Sequence, residues 1–518
     1  MMRWPFRLII AGTAVTLLAA GAARAEIREP TPAENLLREI LEYISEKISK
    51  AEVGARLEMG AATSASAVGE SVKMKFPAPR IVSADGSWLL SEDTAARVTP
   101  IGGEAFEFSV DLPHTLSLSD GTGQPEERIN WQGGALSGVW RADLETFPVF
   151  HGNIHDVVLT DRSQTPEHED GTIETITIDQ DLGELTPGLW SGPSVFKMTN
   201  LEVHPAGETE TLSIEQLLLT NDARDFDLPA WQALSTMMGA EQILTEEGEF
   251  SADDQQIGQA AKIFAAMHAG AEKAAFTLTG LRFGTQLENQ FSLQKMTLDM
   301  GYDNDAQPGE YSFALTLSGL EQAEIDVPPE FYPHFAALKL HVERLPMRQI
   351  LTIPLREPAP VADSEAGQYG DALQQFLLPL IYANRTVVEF EDITLRSAAT
   401  TLMARGRITA EETSALGVVG SAEIEVTGLD NLIAEAARQA ENGEDAPELL
   451  AMLTLAKGLG RPEINAEGEL AYMFDILLSP NGEITINEIP LDLLQDSGLT
   501  SLPTPRKQLA RASIHKKF

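Results

Sequence analysis

TVVEFEDITLRS (Thr386–Ser397), then TLMARGRITA (Thr401–Ala410) and SAEIEVTGL (Ser421–Leu429), alternate apolar and polar residues in three successive runs. In the first, Val388 and Phe390 hold one phase and Ile393 and Leu395 the other, so the register changes near Asp392. A two-residue period is the pattern of a strand with one buried face. Gly428 ends the third run, and LDNLIAEAARQA sets Leu429, Leu432, Ile433 and Ala436 at helical spacing. A second helix is expected over APELLAMLTLAKGL, with Pro447 in its first turn, where a missing N–H costs little. AYMFDILLS returns to strand, and Asn481-Gly482 signals a hairpin before the closing EITINEIPL. From Arg385 to Leu491 the chain therefore reads as a β-rich α+β module.

Upstream, most of Val53–Asp227 reads the same way. SVKMKF, EAFEFSVDLPHTLSLS, TIETITID, VFKMTNLEVH and TLSIEQLLL alternate, and Asp85-Gly86, Asp120-Gly121 and Asp170-Gly171 read as tight turns between runs. A large antiparallel meander is expected. Helices follow over LPAWQALSTMMGA and the run Ala252–Ala274, then strands at FTLTGLRF, FSLQKMTLDM and YSFALTLSGL. PPEFYPHFAALKL reads as a short helix interrupted near Pro333, and YGDALQQFLLPLIYAN as a helix with a kink or stop at Pro379.

Two segments echo each other: SFALTLSGLEQ (Ser312–Gln322) and SAEIEVTGLDN (Ser421–Asn431), followed by HVERLPM (His341–Met347) and TINEIPL (Thr485–Leu491). They point to internal duplication of a supersecondary unit. The expected fold is α+β and β-rich: large, antiparallel, elongated and curved sheet with helices packed on one face.

The start of the chain, MMRWPFR followed by an apolar run ending Ala23-Arg24-Ala25, has the layout of a cleavable export signal. No Cys follows Ala25 to carry a lipid anchor, and no later stretch is apolar for long enough to span a bilayer. Cleavage removes Arg3, Arg7 and Arg24 and takes the formal charge from −41 to −44. Such a surface repels nucleic acid, so DNA and RNA are not expected partners. With 0 cysteines there are no disulfides and no thiol chemistry. TPAENLLREILEYISEKISK has a Thr31 cap, Pro32 in the first turn, Glu34 completing a capping box, and Leu37, Ile40, Leu41, Ile44 and Ile48 on one face. Its mixed-charge polar face favours packing on a sheet over lying on a membrane. The tail PRKQLARASIHKKF is basic. The expected layout is a signal peptide (1–25), an amphipathic helix (26–52), a β-meander (53–227), a helical segment with a first β-repeat (228–357), a linker (358–370), a C-terminal β-repeat module (371–495) and a basic tail (496–518).

The exported leader, the strand-rich layout with sparse helices and the closing NGEITINEIPL resemble the YdgA-like envelope proteins, and more distantly the AsmA-like proteins. The likeness covers mainly Phe276–Leu491. It implies a periplasmic β-groove protein that handles lipid or maintains the envelope, and it carries no functional residue with it.

Chemistry-bearing motifs are sparse. His151 and His155 lie four apart beside Asp156, with His168-Glu169 downstream, but Gly152 and the VVLT run place them on strand and loop rather than on a metal-binding helix. Asp299–Glu310 has acids at calcium-loop spacing, yet Asn304 stands where such a loop needs glycine, so a hairpin is expected. Gly133–Gly138 opens no helix, and Trp131 and Trp140 beside it read as core. No catalytic, cofactor or metal residue is assigned. The expectation is a non-enzymatic periplasmic protein holding lipid or another hydrophobic ligand in a β-sheet groove, with Ile424 and Val426 inward. The alternatives are a metal-assisted hydrolase using His151 and His155, and an envelope scaffold that binds a protein partner through the basic tail.

Overall fold

The computed structural model describes residues 56–491, apart from short breaks and longer ones at 234–261, 264–269 and 351–376. The signal peptide, the amphipathic helix, the linker, the basic tail, most of the Ala252–Ala274 run and the turns at Asp85-Gly86 and Asp120-Gly121 lie outside the described residues. The fold is β-rich and antiparallel with few helices. Two compact units divide it: Met1–Asp326 with Leu345–Leu380, and Val327–Arg344 with Ile381–Phe518.

The larger unit is organised on the 16-residue strand β11 (Thr146–Asp161), strands being numbered in chain order. Two wings share one edge of it. The first part of β11 pairs with β10 (Gly133–Arg141), and that wing continues through β7 (Ala105–Asp111), β6 (Thr94–Gly102), β3 (Ser71–Phe76) and β2 (Ser64–Val68). The last four residues of β11 pair with β9 (Pro125–Asn130), and that wing continues through β8 (Thr115–Ser119), β5 (Trp88–Ser91), β4 (Arg80–Val82) and β1 (Arg56–Glu58). The chain thus lays strands on the two wings in alternation, so the first part of the expected meander is not a meander. Alternating residues specify which side chains are buried, not which wing a hairpin joins.

Between the wings lies the core. Val98 and Val110 of the first wing and Leu116 of the second cluster with Leu136, Trp140, Phe150 and Ile173. Trp140 is 0% exposed, and its ring lies 4.6 Å from Phe147 at a 58° tilt, while Phe147 meets Phe108 edge-on at 5.1 Å. Aromatic groups of this size contribute most of what holds a sandwich together. On the other edge of β11, sequence neighbours are sheet neighbours: β12 (His168–Asp181), β14 (Leu189–Val203), β15 (Glu210–Asp227), β16 (Ala271–Thr285), β17 (Asn289–Asp303) and β18 (Gly309–Gln322). The short β13 (Gly183–Thr186) folds back on the start of β14.

In the smaller unit the order is β19 (Phe335–Leu345), β20 (Val387–Arg396), β21 (Thr401–Ala410), β22 (Val418–Thr427) and β24 (Leu470–Leu478). The free edge of β24 is divided between β23 (Arg461–Ile464) and β25 (Ile484–Ile486), which turns into β26 (Ile489–Pro490). The register change near Asp392 is a bulge: Lys339 faces Asp392 and Leu340 faces Phe390, leaving Glu391 extra. Gly428, at φ +70°, ends β22 and starts helix α1 (Leu429–Glu441), and α2 (Pro447–Leu459) follows. These helices lie over Tyr472 of β24. Its hydroxyl donates to Asp430 at 3.0 Å, and the Lys457 ammonium bonds the same carboxylate at 2.5 Å while sitting 5.8 Å from the Tyr472 ring.

Four expectations are corrected. Asp170-Gly171 is no turn but lies inside β12, where a Cβ on Gly171 would come within 2.5 Å of the Glu202 carbonyl, so close strand approach is what requires the glycine. PPEFYPHFAALKL forms only a 3-10 turn at Pro329–Phe331 before β19, because FAALKL continues as a half-buried alternating strand. The helix does not stop at Pro379, since residues 377–384 are helical. The expected helix end at 271–274 is the start of β16.

Candidate functional site

An apolar face runs across β11–β18 outward from the core, and one row of residues explains how it stays continuous. On β11, Ile154 and Val157 are both buried although two exposed residues, His155 and Asp156, separate them. Strict alternation would put one of the two on the wrong face. Asp156 resolves this by taking φ +53°.

The same interruption recurs at the same height on each strand to β18. Asn200 of β14, Gly280 of β16 and Gly319 of β18 have φ of +49°, +65° and +63°. The residues facing them are Glu174 of β12, Glu215 of β15 and Gln294 of β17, as the pairs on either side of each skipped rung show. Each strand gains one residue, so no strand slips against its neighbour. A Cβ on Gly280 would come within 2.3 Å of the Glu215 side chain, and one on Gly319 within 2.4 Å of Gln294, which is why glycine stands at both. At β14 the residue is Asn200, whose amide bonds Glu174 across the strands; asparagine tolerates this conformation better than other side chains.

With the phase restored on every strand, apolar rows run across the sheet. One holds Ile178, Phe196, Leu219, Phe276, Leu298 and Leu315; the next holds Ile176, Met198, Leu217, Leu278, Met296 and Leu317. Beyond the interruption, Ile173, Leu201, Ile214, Leu281, Leu293 and Leu320 take it up again. Toward β11 this face is part of the closed core, with Ile173 at 1% exposure; further out, Leu219 is 43% and Met300 47% exposed. At that end a rung that is polar on β12, β14 and β15 continues as Ala274, Met300 and Phe313 on β16–β18. Gln180 donates to the Phe147 carbonyl at 2.6 Å, Ser194 donates to Gln180 at 3.4 Å, and Asn221 Oδ1 is buried without a hydrogen-bond partner. A concavity of about 460 Å³ lies among β14–β18 on the opposite, more polar face of the sheet, lined by Pro193, Val195, Thr220, Asp222, Lys273 and Asp299 among others.

The residues weighed for metal chemistry are not brought together. His151 Nδ1 lies 3.0 Å from Asp179 on the neighbouring strand. His155 stands four residues further along β11, roughly 13 Å away at strand rise. His168 Nδ1 lies 3.0 Å from Asp170 of its own strand. Among the described residues no three His, Asp or Glu side chains form a metal-holding group. The acids at calcium spacing sit on a hairpin: Asp303 faces Glu310, and Asp299 faces Ala314 four rungs further in, so they do not share one loop. Gly133–Gly138 belongs to β10, where a Cβ on Gly138 would meet the Val149 carbonyl at 2.2 Å; Trp131 and Trp140 are core.

In the smaller unit, Ile424 and Val426 face Phe474 and Tyr472 on the side where the helices lie, and both are half-buried. The opposite face forms a concavity of about 910 Å³ lined by Glu389, Arg405, Arg407, Glu423, Arg461 and Asp475 among others. Its charges are paired, Arg405 with Glu423, and Arg461 with Asp475 at 3.2 Å. A charged wall of this kind offers little to an acyl chain, although the smaller unit also exposes apolar side chains, among them Met452 at 52% and Ile464 at 69%. In the sequence the interruption row is marked by a hydroxyl residue, then Asn or Gly, then Leu: Thr199-Asn200-Leu201, Thr279-Gly280-Leu281, Ser318-Gly319-Leu320. Comparison with family models, with curated proteins and with solved structures finds no match to this chain.

Proposed function

We propose that this is a non-enzymatic, exported periplasmic protein that holds the acyl chains of a lipid on the apolar face of β14–β18. The observation that carries the reading is the unbroken apolar rows across β12–β18, open to solvent at Leu219 and Met300. Six strands at about 4.8 Å spacing make rows roughly 24 Å long, the scale of an extended fatty acyl chain. Each methylene removed from water contributes about 0.8 kcal/mol without needing a specific partner. The polar rung at Gln180, Ser194 and Asn221 supplies the few orienting groups that such sites use. Export to the periplasm is supported by the signal-like leader and by the resemblance to YdgA-like envelope proteins.

The test is to purify the protein without detergent, extract it and identify lipid by mass spectrometry. Near-stoichiometric phospholipid or fatty acid is expected. Leu219→Glu should lower lipid content while leaving the melting temperature almost unchanged, because the side chain is already 43% exposed. Lipid-free wild-type protein that also ignores acyl-chain probes would sink the proposal.

A further inference from the structure

We propose that one end of the larger unit contacts a bilayer directly, dipping apolar side chains from separate elements into a zwitterionic lipid surface; the inference deepens the lipid-holding reading above and rests on it. Ile101 closes β6 beside the Gly102-Gly103 turn, where φ is +107° and +61°. That turn abuts Arg141: Ala105 faces Arg141, and the Ala142 N–H donates to the Glu104 carbonyl at 2.8 Å. Arg141 reaches Glu184 of β13 at 3.7 Å and stacks 5.4 Å from Trp190. Leu185 is the next residue of β13. Trp190 faces Phe226 of β15, whose ring lies 6.0 Å from Trp231 in the helical turn that follows. An unbroken chain of contacts thus puts Ile101, Leu185 and Trp231 at one end of the unit.

All three are solvent-facing, at 53%, 77% and 47% exposure. Scattered exposed apolar residues are ordinary, but these stand on three separate elements, the ends of β6 and β13 and the helical segment after β15, at the end of the sheet where Met300 of the apolar face is also exposed. Separate tips make a poor rigid protein interface, which needs a packed patch. A fluid phase accommodates each tip independently, and Trp and Leu at such tips are the residues that settle at the membrane–water boundary. The charges around Arg141 are acidic, Glu104, Asp143 and Glu184, and Arg224 at the same end is paired with Asp303, so anionic headgroups would be repelled and zwitterionic ones admitted.

The test is flotation of the full chain with phosphatidylcholine vesicles. Wild type is expected to float with them. Ile101→Glu with Leu185→Glu should cut the bound fraction roughly tenfold, while Phe283→Glu, an exposed site at the far end of β16, leaves it unchanged. Folding of each variant is checked by its melting curve; if the double variant fails that check, Leu185→Ser alone takes its place. Wild type that does not float, or a Phe283→Glu loss equal to that of the tip variant, would overturn the inference. Lipid extracted from the same preparations separates the two readings. Retained lipid without flotation rejects only the bilayer contact, and flotation without retained lipid rejects only the holding of lipid.

Discussion

Asn487 holds together more of the smaller unit than any alternating pattern predicts. Its side chain accepts from the Asp475 N–H at 2.8 Å and donates to the Leu459 and Met473 carbonyls at 2.7 and 2.9 Å, joining α2 to β24. With φ +48°, followed by Glu488 at +68°, it also makes the tight turn between β25 and β26. Replacing it by Ala leaves three backbone groups without partners, and chemical denaturation should show a loss of about 2–4 kcal/mol. The interruption row offers a second measurement. Gly280→Val should cost roughly 1–3 kcal/mol through backbone strain and crowding of Glu215, and Gly280→Asn less, since asparagine adopts this φ at Asn200 and only the crowding of Glu215 remains. A third concerns pH. The hydrogen bond from Lys457 holds the Asp430 carboxyl below its ordinary pKa, opposed in part by burial and helped by Tyr472. A lowered folded pKa means the stabilisation is complete above the unfolded value of about 3.9 and fades as pH falls through the folded one. Asp430→Asn should therefore flatten the acid limb of the stability curve below about pH 4; an unchanged limb would show that the pair contributes nothing.

At the level of elements, the core between the two wings should be the most sensitive part of the larger unit. Trp140→Ala opens a cavity where exposure is 0%, and a loss of about 3–5 kcal/mol is expected from thermal or denaturant melts. Strand positions were largely legible, because Val388, Phe390, Ile393 and Leu395 record both the two-residue period and the bulge at Glu391. What was not legible follows from the same physics. Residues such as Leu116 and Val98 announce burial, but pairing partners far apart in sequence leave no mark in a local period, so the two wings could not be told apart. The echo between Ser312–Gln322 and Ser421–Asn431 matched letters rather than roles. Gly319 sits inside β18, while Gly428 ends β22 and starts α1. HVERL is one strand, and TINEIPL is a hairpin. The repetition that does organise structure is the hairpin of β12–β14, β15–β16 and β17–β18, each placing Glu or Gln opposite Asn or Gly. Only its last member had been singled out, and for another reason. Nor does alternation separate Ile424 from Phe276; only the helices over β24 distinguish their surroundings.

For the whole molecule, export predicts an intact mass beginning at Glu26 in the periplasmic fraction, and a chain that keeps residues 1–25 in membranes would contradict it. The interruption row bears on how such a protein changes length over generations. Strands that all break step at one height can accept a copied hairpin, or shed one, without forcing neighbours out of alignment. Each copy would widen the apolar rows by about 10 Å at ordinary strand spacing, so the longest molecule accommodated becomes a matter of counting hairpins rather than redesigning a cavity. A chain carrying a tandem second copy of residues 289–322 is accordingly expected to fold and to retain longer acyl chains. Precipitation, or an unchanged distribution of chain lengths in the extract, would show that the hairpins are not interchangeable parts.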